Sequence, residues 1–144
     1  MHFLQIPMIK DAISARGDGL KLFASPWTAP PWMKSNNDYR GFGYLLKEYY
    51  QPWAEYFVKF LDGYAAEGVE FWGVTAQNEP SHGRAFDSHF NCMGWGGEDQ
   101  REFVGNNLGP ALEEAGYGEV KLMIYDDQKP FVLNWTRTVR VFES

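Results

Sequence analysis

The sequence is poor in features that mark several common protein classes. It has a single cysteine, Cys92, so no internal disulfide can form and the thiol reads as half-buried and free. Its 13 Lys and Arg are outnumbered by 19 Asp and Glu, leaving a formal net charge of −6. No Lys/Arg-rich stretch exists to neutralise phosphates, which argues against a nucleic-acid partner. No apolar run approaches the roughly 20 residues needed to span a bilayer. The opening MHFLQIPMIKDAIS lacks the long uninterrupted apolar region of a signal peptide. No glycine-rich phosphate loop follows any apolar run, which disfavours nucleotide binding. His82 and His89 stand at no regular ligand spacing from Cys92, so a zinc site is disfavoured.

Aromatic residues, in contrast, are abundant: Trp 6, Tyr 8 and Phe 11 make up 17% of the 144 residues. Most are expected to fill a core. Some can line a groove where sugar rings stack, because the C–H face of a pyranose packs on an indole.

Hydropathy patterning alternates between helical and strand-like segments. Residues 7–16 read as a short helix, with Met8, Ile9, Ala12 and Ile13 on one face and Gly17 and Gly19 ending it. Residues 20–25 read as a buried strand and residues 26–44 as a long loop. Residues 50–66 form the clearest helix, with Trp53, Phe57, Phe60, Leu61 and Tyr64 at helical spacing, Pro52 in the first turn and Gly68 at the C-terminal cap. An apolar run over 69–76 reads as a second strand and ends abruptly at Gln77-Asn78-Glu79-Pro80. A second loop covers 81–97. A helix over 98–115 should kink or shorten at Pro110. Residues 120–125 read as a third strand ending at Asp126-Asp127-Gln128, and residues 131–142 as a last helix.

This order is the alternation of an α/β fold with a parallel sheet, and continuously apolar strands imply burial on both faces. No linker or repeat interrupts it, so residues 1–144 read as one partial domain. A (β/α)8 barrel needs about 250 residues. Three strands with flanking helices therefore read as part of such a barrel, continuing beyond both ends of this chain.

All three strands end in polar or aromatic clusters: Ser25-Pro26-Trp27, Asn78-Glu79-Pro80 and Asp126-Asp127-Gln128. In parallel α/β folds these ends converge on the active site. Glu79 is the sharpest candidate. Apolar walls around a carboxyl at a buried strand end favour its neutral form, as a glycosidase general acid requires. Its alternative is a solvated turn before Pro80. A retaining glycosidase needs a second carboxylate about 5–5.5 Å away. Asp126 and Asp127 are candidates, but neighbouring strand residues point to opposite faces. Supporting or helix-capping roles suit them better. Trp27 is a candidate sugar platform, stiffened by Pro26, Pro30 and Pro31. For Trp32, loop packing is an equal alternative.

The segments LFASPWTAPPWMKS, YFVKFLDGYAAEGVEFWGVTAQNEPSHG and DQREFVGNNLGPALEEAG followed by VKLMIYDDQ resemble, in order, motifs of the lysosomal-type glucosylceramidases of glycoside hydrolase family 30. The resemblance implies strands 3–5 of a TIM barrel that hydrolyses the β-glucosyl bond of glucosylceramide with retention. It implies that Glu79 is the acid/base and that Asn78 contacts the sugar 2-hydroxyl and the nucleophile. It also implies that Trp27 lines the glucose pocket and Phe90 its entrance. Asp126, Asp127 and Gln77 would support these from behind. The mammalian form has Glu where Gln77 stands, and Ser88 replaces an aromatic at the pocket rim. The family's nucleophile lies on its seventh strand, outside this chain. A family enzyme needs no metal or organic cofactor. It would meet a glycosphingolipid, in a lysosomal or secreted setting with peripheral contact to a membrane surface. Xylanase and β-1,6-glucanase activities are the alternatives within the family, and a non-catalytic carbohydrate-binding role is the alternative outside it.

Overall fold

The computed structural model describes residues 5–85 and 87–139. Helix α1 covers Gln5–Arg16 and strand β1 Phe23–Ala24. Helix α2 covers Tyr50–Ala65 and strand β2 Gly73–Thr75. Helix α3 covers Gly97–Phe103, helix α4 Gly109–Glu114, strand β3 Lys121–Met123 and helix α5 Val132–Val139. Each element meets its sequence counterpart, and residues 140–142 of the last expected helix lie outside the described residues.

The strands form a parallel sheet in the order β1-β2-β3. Phe23 pairs with Gly73, and Val74 pairs with Ala24 on one side and Leu122 on the other. Only β2 is buried along its whole length. On β1, Phe23 is 59% exposed, and Lys121 of β3 is exposed too. The expectation of three strands buried on both faces therefore holds for the middle one alone. Apolar composition reports the need for cover, and only β2 has a strand on each side.

The same glycine device ends α2 and α4. Gly68 (φ +74) and Gly116 (φ +84) take the left-handed conformation that glycine adopts without steric cost. The following amide then bonds back five residues, Val69 N to Tyr64 O (3.0 Å) and Tyr117 N to Leu112 O (2.7 Å). Each helix is thereby turned into the next strand. The interruption expected near Pro110 is present, because α3 ends at Phe103 and α4 starts only at Gly109. A π-helical turn over Val104–Leu108 joins α3 to α4 and accommodates Pro110, which falls in the first turn of α4.

The core lies between the sheet and α2, α3 and α4. It contains Tyr50, Trp53, Phe57 and Leu61 of α2, Val74 of β2, and Phe103, Leu108 and Leu112 beyond it. Trp95 stacks on Phe103 with centroids 5.0 Å apart, and Tyr50 leans on Trp95 at 5.4 Å. Much of the aromatic content is thus core. Phe103 is fully buried. Phe103→Ala should cost about 3–5 kcal/mol in an unfolding titration, because the rings around it cannot collapse into the space.

Two expectations need correction. Helix α1 does not pack through Met8, which is 73% exposed; Ile9 packs as expected, and Ile6 joins it against the cluster of Tyr64 and Val69. Cys92 is buried, not half-buried. Its carbonyl accepts from Lys34 Nζ (2.8 Å), which also donates to Asp38 O (2.6 Å). Burial lowers the Lys34 pKa, against the opposing pull of Cys92 and Asp38. This buried ammonium ties the loop after β1 to the loop after β2.

Candidate active site

Beyond their regular ladders the three strands stay aligned. Asn78 N donates to Pro26 O (3.0 Å), Asn78 bridges Asp126, and Glu79 N donates to Asp126 O (2.7 Å). The three polar clusters therefore stand side by side at the C-terminal edge of the sheet, as the sequence predicts.

Glu79 turns the chain there with φ +41, a conformation that costs a non-glycine residue about 1–3 kcal/mol and that gathers at functional sites. Its Oε1 accepts from Gln128 Nε2 (3.3 Å), and its Oε2 lies 3.6 Å from His82 Nδ1. The side chain is 30% exposed. Polar partners, rather than the apolar walls expected from the sequence, thus contact the carboxyl. The His82 ring lies 4.5 Å from the Phe90 ring, and Phe90 and Trp27 make a T-shaped contact at 5.6 Å. Trp27, Phe90, His82, Glu79 and Gln128 form one continuous wall. Trp27 is 51% exposed, so much of its ring is open to solvent. Trp32 packs edge-on against Tyr49 instead, outside this wall.

Both aspartates are engaged by neighbouring hydrogen-bond donors. Ser25 Oγ donates to Asp126 Oδ2 (2.6 Å), and Thr75 Oγ1 reaches the same oxygen at 3.2 Å. Asp126 thus ties β1, β2 and β3 together beneath the wall. Asp127 Oδ2 accepts from Ser81 N (2.8 Å) and its Oδ1 from Gln128 N (2.7 Å). It holds the turn after Glu79, and it does not cap the next helical turn, whose N-cap residue is Gln128. Gln77, fully buried, donates through Nε2 to Trp27 O and to Asn78 O, both at 2.9 Å. Among the described residues no three His, Cys, Asp or Glu side chains cluster as a metal would require.

Sequence reasoning missed His82 and Gln128 as neighbours of Glu79. His82 was legible only as a stray metal ligand. The available signal was its i+3 spacing from Glu79 across a proline turn, which closes through His82 N to Glu79 O (2.9 Å). The turn His82–Arg84 is pinned from behind by glycines. Gly43 N donates to Gly83 O (2.9 Å) and Gly94 N to Gly43 O (2.7 Å). A Cβ on Gly83 would sit 2.0 Å from Gly94 N and 2.2 Å from Met93 C, both backbone atoms. Gly83→Ala should therefore displace the loop that carries His82 and Phe90. The expected result is a lowered melting temperature in a thermal unfolding measurement.

The chain resembles known proteins over most of its length. Over 140 residues the chain is 44% identical to the lysosomal acid glucosylceramidase of Mus musculus, covering 94% of this chain and 27% of that protein. It is 37% identical over 111 residues to an endo-1,6-beta-D-glucanase of Neurospora crassa, covering 75% of this chain and 22% of that protein. Among solved structures, SrfJ from Salmonella typhimurium superposes with a TM-score of 0.84 at 31% identity, over 92% of this chain and 28% of that one. The endo-β1,6-glucanase BT3312 gives 0.78 at 30% identity, over 94% and 33%. The chain thus spans about a quarter of the length of the curated relatives it matches. The family model described as the glycosyl hydrolase family 30 TIM-barrel domain matches residues 2–142, and the chain belongs to that family.

Proposed function

We propose that this chain supplies the proton donor and one wall of the sugar pocket of a retaining β-glycosidase that releases glucose from glucosylceramide. In this reading β1, β2 and β3 are barrel strands 3, 4 and 5, and the second carboxylate comes from polypeptide outside these residues. The observation that carries it is Glu79, held at the end of β2 with its carboxyl beside an aromatic wall and open to solvent on its free side.

The chemistry follows from two carboxyl groups. Glu79 gives its proton to the glycosidic oxygen while the second carboxylate attacks the anomeric carbon. The C–O bond to the leaving alcohol breaks, and a glycosyl ester forms. Glu79, now ionised, takes a proton from water as that water attacks the same carbon, which frees glucose and regenerates the nucleophile. Asn78 would donate to the sugar 2-hydroxyl, Trp27 would stack on the ring and Phe90 would close the rim. Asp126, Asp127 and Gln77 keep the strand ends in register.

The mouse relative supports glucosylceramide as the substrate. Its lysosomal setting likewise supports a lysosomal parent. No described helix is long and apolar enough to cross a membrane. The fungal relative favours a second reading, cleavage of β-1,6-glucan. Assaying the full-length protein on glucosylceramide, β-1,6-glucan and xylan separates them. We expect the highest kcat/KM on the glycolipid, and a preference for either polysaccharide overturns that assignment.

A further inference from the structure

The peptide unit between Asn78 and Glu79 carries the proposed proton donor, and both of its polar atoms are held. Its N–H donates to Asp126 O (2.7 Å). Its C=O accepts from Gln77 Nε2 (2.9 Å). The second hydrogen of the same amide goes to Trp27 O (2.9 Å). Two carbonyl oxygens can be met only by the NH2 of the amide, which fixes the sense of the Gln77 side chain. Gln77 Oε1 has no partner among the described residues, so the donor half is what the fold uses there.

Resting on the glycosidase reading, we propose that Gln77 is a positioning residue that clamps the Trp27 platform to the peptide of Glu79. The clamp sets the distance between the ring that binds the sugar and the carboxyl that protonates it. The physical need is plain. Glu79 sits at φ +41, away from the broad basins, so its peptide plane relaxes unless something opposes rotation. The Asp126 carbonyl restrains one side only. The Gln77 amide restrains the other and ties it to the segment after β1, where Pro26 O already accepts from Asn78 N. A displacement of about 1 Å at such a site can cost about 10²-fold in rate.

Two substitutions of nearly the same shape test the clamp in the full-length protein. Gln77→Met removes both donors. Gln77→Glu leaves one proton for two carbonyls when protonated and none when ionised. The titratable groups at this edge of the sheet are Glu79 on the same segment, Asp126 and Asp127 beyond β3, and His82 in the following turn. Burial and the carboxylates both favour the protonated form of the introduced acid, so it ionises well above the usual range.

We expect Gln77→Met to lower kcat by about tenfold or more at every pH, with a much smaller change in KM and beyond any loss in folded fraction. We expect the ratio of Gln77→Glu to wild-type kcat/KM to be highest near pH 5 and to fall about tenfold by pH 8, as the proton is lost. Rates that track only the melting temperature, or a ratio flat with pH, overturn the clamp while leaving the glycosidase reading intact. A wild-type protein inactive on all β-glycosides overturns both.

Discussion

Glu79→Gln in the full-length protein should lower kcat on glucosylceramide by about 10²–10⁴-fold while leaving substrate affinity within a few-fold. The amide has the size of the carboxyl but cannot give up a proton to an alkoxide leaving group. Leaving-group chemistry sharpens the test. A nitrophenolate departs without protonation, so a nitrophenyl β-glucoside should still release one equivalent per enzyme. Turnover should then stall, because Glu79 is also the base that activates water for the second step. A carbohydrate-binding module with no chemistry of its own would be indifferent to the substitution. Burst kinetics with the nitrophenyl substrate, measured beside binding of the glycolipid, distinguishes the two.

The second large effect is an absence. The 144-residue chain by itself should release no glucose from any β-glucoside above background. Retention needs a nucleophile about 5–5.5 Å from the acid/base, and the carboxylates at this edge are already engaged. Asp126 takes hydroxyl bonds from Ser25 and Thr75, and Asp127 takes the backbone amides of Ser81 and Gln128. Neither is free to attack an anomeric carbon without losing the contacts that align the strand ends. A fluorogenic glucoside reads this directly, and steady turnover by the isolated chain would show that one of these aspartates, or another group, serves as nucleophile.

Much of this arrangement is legible in the sequence because it depends on local rules. Helix α2 shows itself through Trp53, Phe57, Leu61 and Tyr64 at helical spacing, and Gly68 marks where it ends. Strand β2 shows itself as an apolar run that stops at Gln77, and a buried strand ending on Asn-Glu-Pro points to chemistry. What the sequence hides depends on neighbours. The exposure of Phe23 and Met8 follows from which elements lie against them, which composition does not carry. The role of Asp126 is set by Ser25 and Thr75, which stand 101 and 51 residues away in the chain. The left-handed turn at Glu79 is hidden as well, because glutamate has no preference for it; the register of three strand ends imposes it. The resemblance places Gln77 among the supporting residues, but what it holds emerges only when both carbonyls it reaches are seen.

The measurement closest to the central claim is a crystal structure of the full-length Glu79→Gln protein with an intact β-glucoside bound. This account predicts the residue-79 side chain within about 2.6–3.2 Å of the glycosidic oxygen, with the sugar stacked on Trp27. A glucoside bound elsewhere, or residue 79 turned onto His82 with no path to that oxygen, would contradict it.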